Sequence, residues 1–398
     1  MVRSEDGVRI GVDAACWANG RGYGRFTREL MTAMVAQAPE DTFVFFVDEL
    51  AHSQFDLRAA NVEVVRVAVR ESPTTAASAA GRRRLADLWR MTRAVAKHKP
   101  DVFFSPSVYS YFPLPMGQRA VVAIHDAIAE RYPRLTLPSW RARLFWRLKV
   151  GLAIRQAALI LTVSDFSKRD ISERLQVPVS QIRVAGEAPA AEYRPSNAVE
   201  IERATARLKL PKGARWFLYV GGFNPHKRVS AIVEAHAELV REDGDSAPYL
   251  LLVGDPAADA FLQDVGRIRQ MIGELGTSDR ILWTGFVPDE ELRHLHSGAL
   301  ALVLPSEVEG FGLPAVEAAA CGTPVVATTE SPLPEILKGG GIFVSPGDDE
   351  TLLGALRLLT KDETLRLEMG RRALERVGEL SWDIGASAAL SAIYEVAA

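Results

Sequence analysis

The sequence is poor in cysteine and has no long apolar run, and each absence excludes a class of protein. Two cysteines, Cys16 and Cys321, cannot form a disulfide framework or a structural zinc site. No apolar run reaches the roughly 18 residues of a membrane-spanning helix. Acidic residues stand where a signal peptide would carry its apolar core, so we expect no export. A net charge of −3 gives no reason to expect a nucleic-acid partner. We therefore expect a protein of the reducing cytoplasm.

The composition is that of a globular protein with more than one core. Hydrophobic residues make up 48% of the chain and charged residues 24%, and 398 residues exceed one ordinary domain. Short apolar runs alternate with segments of helical length, which is typical of doubly wound parallel sheets. We predict an α/β fold with two such sheets. The runs of the two series are 10–12, 43–47, 64–65, 102–104, 121–124 and 159–163, and then 217–220, 249–253, 281–283, 300–304 and 325–326.

A polar stretch without a strand pattern separates the two series. Residues 186–215 are broken by three prolines and are interpreted as a linker followed by a helix. We place one Rossmann-like domain at 1–195 and a second at 196–378. Residues 379–398 are expected to form a last helix that packs back on the first domain.

Glu309 and Glu317 are the first and last residues of the stretch EGFGLPAVE, which otherwise holds glycine, proline and apolar residues. The apolar run before it predicts a strand, and Pro314 suits the first turn of a helix that begins near Leu313. A glycine and a proline beyond Ala320 predict the end of that helix. Glu309 then lies at the carboxyl end of a strand and Glu317 lies early in the helix. Both therefore face the crevice in which open α/β sheets bind their ligands.

The start of this helix suits a phosphate group. The backbone N–H groups around Phe311, Gly312 and Leu313 have no partner within the helix, and the helix dipole favours an anion there. A carboxylate beside a phosphate is unfavourable unless it binds something else. Sugar hydroxyls are the leading candidates, because one carboxylate accepts two of them at once.

Six segments of the chain match, in the same order, the motifs of one known family. NGRGYGRFTREL (19–30) resembles its glycine-rich loop, and AIHDAIAERYP (123–133) resembles its His-Asp segment. TVSDFSKRDI, YVGGFNPHKR and WTGFVPDEELRHLHSGA resemble its serine-bearing helix start, phosphate-binding loop and nucleoside-contacting turn. Glu309, seven residues and Glu317 match its signature pair of glutamates. The chain thus resembles the GT-B-fold glycosyltransferases of family 4, a retaining class with two Rossmann-like domains that face an interdomain cleft.

The resemblance implies a role for each matched residue of the second domain. Glu317 would accept the ribose hydroxyls of a nucleotide sugar, and Glu309 would hold hydroxyls of the donor sugar. Lys227 would neutralise the diphosphate, assisted by the backbone N–H groups of the helix start at Phe311, Gly312 and Leu313. Phe286 and the adjoining backbone would contact the base.

The first domain contributes three matched residues. Gly22 and Gly24 would let the glycine-rich loop approach the donor phosphate, and His125 would face the reacting sugar. Negative charge grows on the leaving diphosphate, and Lys227 with the helix start can stabilise that charge without a metal. In this family the acceptor hydroxyl is thought to attack from the side that the diphosphate leaves, so no protein nucleophile is needed.

One matched position departs from the family. Gly222 stands where an arginine often follows the glycine of the phosphate loop, and Arg228 or His226 would have to supply that charge. Asp243 and Asp245 match a metal-binding pattern of another glycosyltransferase fold. Asp-Gly between a helix and a strand is ordinary turn chemistry, so we predict no metal site.

Residues 134–152 contain no acidic residue and repeat a large apolar residue at every fourth position: Trp140, Leu144, Leu148 and Leu152. Two interpretations remain open. The helix rests on an anionic membrane at the inner face, or it packs on the core of its own domain.

The sequence therefore predicts a metal-independent, retaining hexosyltransferase that needs no cofactor beyond its donor. The donor is a GDP- or UDP-linked sugar. Mannose is slightly favoured as that sugar, because GRGYGRFTREL looks most like the mannosyltransferase members of the family. The acceptor is a saccharide or lipid-linked saccharide, and its specificity is expected in loops 72–84 and 105–118. A nucleotide-sugar epimerase, which would need no acceptor, and an inactive nucleotide-sugar-binding module are the alternatives.

Overall fold

The computed structural model describes residues 7–20, 22–70, 84–255 and 262–398. Arg21 of the glycine-rich segment and residues 72–83 of the first acceptor loop lie outside these ranges. The chain forms two compact units. Unit 1 comprises the chain up to Glu187 together with Ser381–Ala398, and unit 2 comprises Ala188–Leu380.

Unit 1 is built on a seven-stranded parallel sheet with the order β3-β2-β1-β4-β5-β6-β7. The strands are β1 (Arg9–Asp13), β2 (Thr42–Val47), β3 (Val62–Arg66), β4 (Val102–Ser105), β5 (Ala120–Ala123), β6 (Leu159–Thr162) and β7 (Ile182–Val184). The α-helices are Gly22–Gln37, Glu49–Gln54, Leu85–His98, Ile128–Arg131, Pro133–Thr136, Trp140–Gln156, Asp165–Leu175 and Trp382–Ala397, with short 3-10 helices at Ala15–Ala18 and Val179–Gln181.

The last helix, Trp382–Ala397, packs against the first helix of unit 1 and against its sheet. The approach is close at Gly385, where a Cβ atom would lie 2.6 Å from the carbonyl oxygen of Gly186. Tyr394 donates a hydrogen bond to Asp41 across this contact. The chain therefore returns to unit 1 after completing unit 2.

Unit 2 is built on a six-stranded parallel sheet with the order β10-β9-β8-β11-β12-β13. The strands are β8 (Trp216–Val220), β9 (Tyr249–Val253), β10 (Ile281–Gly285), β11 (Ala301–Leu304), β12 (Val325–Thr328) and β13 (Gly341–Val344). The α-helices are Ala198–Arg207, Val229–Asp243, Val265–Glu274, Asp289–Gly298, Leu313–Ala320, Leu333–Ile336, Asp349–Lys361 and Glu363–Val377, with 3-10 helices at Pro225–Lys227 and Gly244–Ser246.

The predicted α/β fold with two doubly wound parallel sheets is confirmed, and each predicted apolar run lies on a strand. Two strands were not predicted, β7 and β13, and both lie at the edge of their sheet. An edge strand is covered less than a central one, so it need not be continuously apolar. Arg183 lies in β7, and Gly341 begins β13.

Each sheet has one point at which the strand order reverses. In unit 2 the reversal lies between the neighbours β8 and β11, and in unit 1 it lies between β1 and β4. Loops that leave neighbouring strands in opposite directions open a crevice at the carboxyl end of the sheet, which is where ligands bind in this kind of fold. Within the described residues, no helix is long and apolar enough to cross a membrane.

Candidate active site

The crevice of unit 2 is formed by the loops that follow β8 and β11. A backbone hydrogen bond joins these loops, because the N–H of Glu307 donates to the carbonyl oxygen of His226 at 2.7 Å. The N–H of Glu309 in turn donates to the carbonyl oxygen of Glu330, in the loop after β12, at 3.0 Å. The loops of three neighbouring strands are thus held together by their own backbone.

The half-buried Lys227 and the buried Glu309 form an ion pair in this crevice. The Nζ atom of Lys227 lies 2.7 Å from Oε1 and 3.0 Å from Oε2 of Glu309. The hydroxyl of Ser306 donates to the same Oε1 atom at 2.6 Å. Glu309 is only 6% exposed and Ser306 is fully buried. The two residues that the sequence singled out from separate loops are therefore in direct contact.

Arg228 is engaged by two carboxylates. Its Nη1 lies 3.0 Å from Glu307 Oε1, and its Nη2 lies 2.6 Å from Asp349 Oδ1. These hydrogen bonds raise the pKa of Arg228, although desolvation acts against them and is the largest single effect. The guanidinium charge is thus largely neutralised by residues of unit 2.

His226 is buried next to Lys227, and its Nδ1 atom has no hydrogen-bond partner. Desolvation, together with the charge of Lys227, holds the pKa of His226 well below its usual range. The imidazole is therefore neutral near pH 7 and does not replace the cation that Gly222 lacks.

The loop after β8 depends on glycine for its path. The carbonyl oxygen of Gly222 accepts a hydrogen bond from the Tyr219 hydroxyl, which folds the loop back over its own strand. A Cβ atom on Gly254, at the end of β9, would lie 2.2 Å from the carbonyl oxygen of Gly221. The close approach of the β8 and β9 ends thus excludes a side chain at Gly254.

The helix after β11 begins at Leu313 and ends at Ala320, as predicted. Gly312 precedes it with a φ angle of 91°, a conformation that favours glycine, and its missing Cβ would lie 2.7 Å from Leu333. Among the described residues, no acceptor is recorded for the N–H groups of Phe311, Gly312 and Leu313. Glu317 is 4% exposed on the same helix, one turn beyond its start.

Phe286 occupies a different part of unit 2. It follows β10, the edge strand on the β9 side of the sheet, and its side chain is 69% exposed. The preceding Gly285 has a φ angle of 71° and turns the chain at the strand end. An exposed aromatic ring at the carboxyl edge of the sheet is available to stack on a planar ligand.

In unit 1, His125 lies just beyond the end of β5. Its Nε2 atom lies 2.9 Å from the carbonyl oxygen of Pro106, and its ring contacts Phe26 edge-on at 4.5 Å. A carbonyl only accepts hydrogen bonds, so the neutral ring carries its proton on Nε2. Burial lowers the pKa of His125 to about 4, although the bond to Pro106 acts in the opposite direction. His125 is therefore neutral, and its hydrogen bond joins the loop after β5 to the loop after β4.

Gly22 and Gly24 lie in the first turn of the helix Gly22–Gln37, not in a loop before it. A Cβ atom on Gly24 would lie 2.0 Å from the carbonyl oxygen of Asn19. Arg28 donates to the carbonyl oxygens of Trp17 and Asn19 at 2.7 and 2.8 Å, which fastens this segment to the helix. Gly24 therefore permits a close backbone approach within unit 1.

Several residues of the two crevices were not predicted. Ser306, Glu307 and Asp349 hold Glu309 and Arg228 in unit 2. In unit 1 the buried Asp13, at the end of β1, accepts a hydrogen bond from Ser110 at 2.7 Å. A polar residue at the end of an apolar strand, or within two residues of that end, is the signal that would have pointed to Asp13 and Ser306.

The acidic pair Asp243 and Asp245 lies in the turn before β9, at the opposite end of the sheet from the crevice. Asp245 pairs with Arg280 at 2.9 Å. Across the ranges that the structure describes, no group of three or more histidine, cysteine or carboxylate side chains could hold a metal ion.

Together these residues can bind a phosphorylated ligand and hold polar groups beside it. Lys227 and the N–H groups of Phe311, Gly312 and Leu313 supply positive charge on one side of the unit 2 crevice. The carboxylates of Glu309 and Glu317 supply hydrogen-bond acceptors in the same loop and helix.

Comparison with known proteins agrees with this chemistry. The model "Glycosyl transferases group 1" matches residues 200–376, and "Glycosyl transferase 4-like domain" matches residues 21–186. The chain is 28% identical over 370 residues to the O-antigen chain mannosyltransferase B of Escherichia coli, which covers 91% of this chain and 93% of that enzyme. A D-inositol 3-phosphate glycosyltransferase of Corynebacterium efficiens is 32% identical, over 54% of this chain and about half, 51%, of its own length.

Solved structures share the fold at low sequence identity. Sucrose-phosphate synthase from Thermosynechococcus elongatus superposes with a TM-score of 0.74 and 20% identity, over 97% of this chain and 98% of that one. WaaG, a glycosyltransferase involved in lipopolysaccharide biosynthesis, has a TM-score of 0.74 and 15% identity, over 96% and 99%. The relatives named here are transferases, which leaves the epimerase and the inactive module without support. The two family models together span most of both units, and the chain is a glycosyltransferase of the GT-B fold, with a glycosyl transferase 4-like domain followed by a group 1 glycosyl transferase domain.

Proposed function

We propose that the enzyme is a retaining, metal-independent hexosyltransferase that uses a GDP- or UDP-linked sugar. The observation that carries the proposal is the meeting of Lys227, Glu309 and the start of the helix Leu313–Ala320 at the β8–β11 crevice. A cation and backbone N–H groups suit a diphosphate, and buried carboxylates beside them suit the hydroxyls of two sugars.

In the proposed reaction, the bond between the anomeric carbon and the β-phosphate oxygen breaks and a bond to the acceptor oxygen forms on the same face. The acceptor proton passes to the departing phosphate oxygen. Lys227 and the backbone N–H groups before Leu313 stabilise the charge that grows on the diphosphate. Glu309 holds hydroxyls of the donor sugar, Glu317 holds the ribose, and Phe286 stacks on the base.

The roles of unit 1 are proposed from the resemblance and from its local geometry. The resemblance assigns His125, a neutral imidazole, to the reacting sugar and assigns Gly22 and Gly24 to the donor phosphate. The local geometry adds that Gly24 permits a close backbone approach to Asn19 within unit 1. Gly222 lies in the phosphate loop, and Arg228 can supply charge there only by leaving Glu307 or Asp349.

Mannose is the proposed sugar, and an O-antigen-type saccharide or lipid-linked saccharide is the proposed acceptor. The support is the resemblance of the glycine-rich segment to mannosyltransferases and the name of the Escherichia coli relative. A glucose donor is the second candidate, because a further solved structure of the same fold, Alr3699/HepE of Anabaena, contains UDP and glucose. A thermal-shift screen with GDP, UDP and ADP identifies the base, since a ligand of the folded state raises its stability.

Replacing Glu309 separates binding from transfer. In the Glu309→Ala variant, transfer is expected to fall by about 100-fold or more while the nucleoside diphosphate still binds, because Lys227 remains. Radiolabelled sugar transfer and calorimetric titration measure the two effects, and Glu335→Ala, at an exposed position, is the control. Transfer at the wild-type rate by Glu309→Ala, or an inverted product anomer in NMR spectra, contradicts the proposal.

Because the proposed reaction needs no metal ion, activity should also persist in EDTA.

We further propose that the helix Trp140–Gln156 contacts an anionic membrane at the cytoplasmic face. Four large apolar side chains on it are strongly exposed: Trp140 (67%), Leu144 (50%), Phe145 (47%) and Leu148 (64%). Exposed Arg141, Arg143 and Arg147 accompany them, and the helix contains no acidic residue. The other face of the helix packs on the core of its own domain, because Val150 is buried and Leu152 packs against the core. An exposed apolar and cationic face is suited to an anionic lipid surface.

A matched pair of leucine variants tests this contact. Leu148→Glu is expected to reduce cosedimentation with phosphatidylglycerol vesicles several-fold, because it removes apolar area and adds a charge that anionic lipid repels. Leu367→Glu is the control, since Leu367 is also 64% exposed but lies on the helix Glu363–Val377 of unit 2. Equal vesicle binding by both variants contradicts the membrane contact.

A further inference from the structure

The hydrogen bonds of Glu309 leave little of its carboxylate for a ligand. Oε1 accepts from both Lys227 and Ser306, at 2.7 and 2.6 Å, and Oε2 accepts from Lys227 at 3.0 Å. A carboxylate oxygen has two lone-pair positions, so Oε1 is saturated and Oε2 has one position left. Lys227 therefore occupies acceptor positions on both oxygens of Glu309.

The proposed function requires Lys227 to serve the diphosphate, and the following inference rests on that function. An ammonium has three donor positions, and Lys227 directs two of them at Glu309. A diphosphate that accepts more than one hydrogen bond from Lys227 therefore takes a donor away from Glu309. A buried carboxylate that loses its cation is costly unless other donors remain. In the donor complex, the hydroxyl of Ser306 is the contact of Glu309 that does not depend on Lys227.

We propose that Ser306 is a positioning residue that holds Glu309 through Oε1, so that Oε2 is turned toward a hydroxyl of the donor sugar. Ser306 is fully buried and follows β11 by two residues. Its loop is fixed by two backbone hydrogen bonds, from Glu307 to His226 at 2.7 Å and from Glu309 to Glu330 at 3.0 Å. The hydroxyl therefore keeps its place when the side chain of Lys227 moves.

Because Lys227 contacts both oxygens of Glu309, the two parts of the donor are recognised one after the other. The diphosphate first takes Lys227, and only then does Oε2 of Glu309 gain a second free acceptor position for the sugar. A free monosaccharide, which has no diphosphate, meets a carboxylate that is already paired. Free mannose or glucose is therefore a poor inhibitor, whereas a nucleoside diphosphate competes with the donor.

The test compares Ser306→Ala with Ser306→Thr, which keeps a hydroxyl. Thr323→Val is the control for removing a buried hydroxyl, because Thr323 donates only to the carbonyl oxygen of His296, at 2.6 Å. For each full-length variant, titration with GDP and UDP gives the affinity for the diphosphate. Steady-state kinetics with the corresponding sugar nucleotides give kcat and KM.

Loss of the Ser306 hydroxyl should impair transfer of the sugar and leave binding of the diphosphate nearly unchanged. Ser306→Ala is expected to bind the nucleoside diphosphate within about twofold of wild type and to lose about tenfold or more in kcat/KM, chiefly in kcat, as a charge-assisted hydrogen bond would cause. Ser306→Thr should recover most of that loss, and Thr323→Val should show none. Wild-type kcat/KM in Ser306→Ala, or an equal fall in diphosphate affinity and kcat/KM, overturns the inference. A wild-type enzyme that binds no nucleoside diphosphate overturns the proposed function itself.

Discussion

The sequence indicated which side chains belong to the site, but it did not indicate which residues these side chains contact. Glu309 and Lys227 stand out in the sequence because each belongs to a recognisable motif. Their ion pair joins residues 82 positions apart, and local spacing carries no information on which atoms meet at that distance. Ser306 was not predicted as a site residue, because a serine after a proline is common in turns.

His125 links the site of unit 1 to the pH dependence of stability. Its pKa is lowered to about 4 in the folded protein, from an ordinary value of 6.5, because burial disfavours the charged ring. Between these values the unfolded chain binds more protons than the folded one, so the free energy of unfolding falls as pH decreases from 6.5 toward 4. On acidification from pH 6.5 to 4, the free energy of unfolding of the His125→Gln variant should therefore fall less than that of wild type. The difference between the two falls is at most about 3 kcal/mol.

Urea unfolding at pH 7 and pH 4.5 measures the difference between His125→Gln and wild type. Glu130 acts in the opposite sense, since burial raises its pKa to about 7, but it is present in both proteins and cancels in the comparison. His52→Gln, at an exposed position, is the control. If His125→Gln and wild type lose the same stability on acidification, His125 is not the group that resists protonation.

Elements of secondary structure were predictable where many residues share one pattern. Central strands were identified because they are apolar throughout, and the helix Leu313–Ala320 was identified because its proline and glycine signals agree with its length. The edge strands β7 and β13 were missed because each is short and only partly covered. Gly22 and Gly24 were assigned to a loop, because two glycines in one turn favour a loop on local grounds, but they lie in the first turn of the helix Gly22–Gln37.

Gly312 sets the direction in which the helix Leu313–Ala320 starts. Gly312 and Gly347 have similar φ angles, 91° and 88°, but only Gly312 has a neighbour in the path of a Cβ atom, Leu333 at 2.7 Å. Gly347→Ala should cost about 1 kcal/mol of stability from backbone strain alone. Gly312→Ala should cost about 1–3 kcal/mol more, because Leu333 must move, and should weaken diphosphate binding.

Chemical denaturation of the two alanine variants, with titration of the nucleoside diphosphate, checks this expectation. Equal loss of stability in both variants would show that Leu333 yields without cost. Unchanged diphosphate affinity in Gly312→Ala would show that the helix start does not bind the ligand.

At the scale of the whole molecule, the predicted site residues are distributed over both units. Gly22, Gly24 and His125 belong to unit 1, and the remaining predicted residues belong to unit 2. In unit 2 all of them except Phe286 lie in the loops or the helix that follow β8 and β11, the two strands at the reversal of strand order, and that order depends on which strands are neighbours. Strand order arises from contacts between distant parts of the chain, so the sequence indicated it only through resemblance to a family.

The central claim is that the β8–β11 crevice binds the diphosphate of the donor through Lys227. Calorimetric titration of GDP and UDP into wild type, Lys227→Met and the double variant Lys227→Met/Glu309→Gln tests it most directly. The double variant removes the carboxylate that Lys227→Met leaves unpaired, and Lys212→Met, whose lysine side chain is 90% exposed, is the control. The account predicts about tenfold to 100-fold weaker binding in both Lys227 variants and wild-type affinity in the control. Wild-type affinity for the nucleoside diphosphate in the double variant would contradict it.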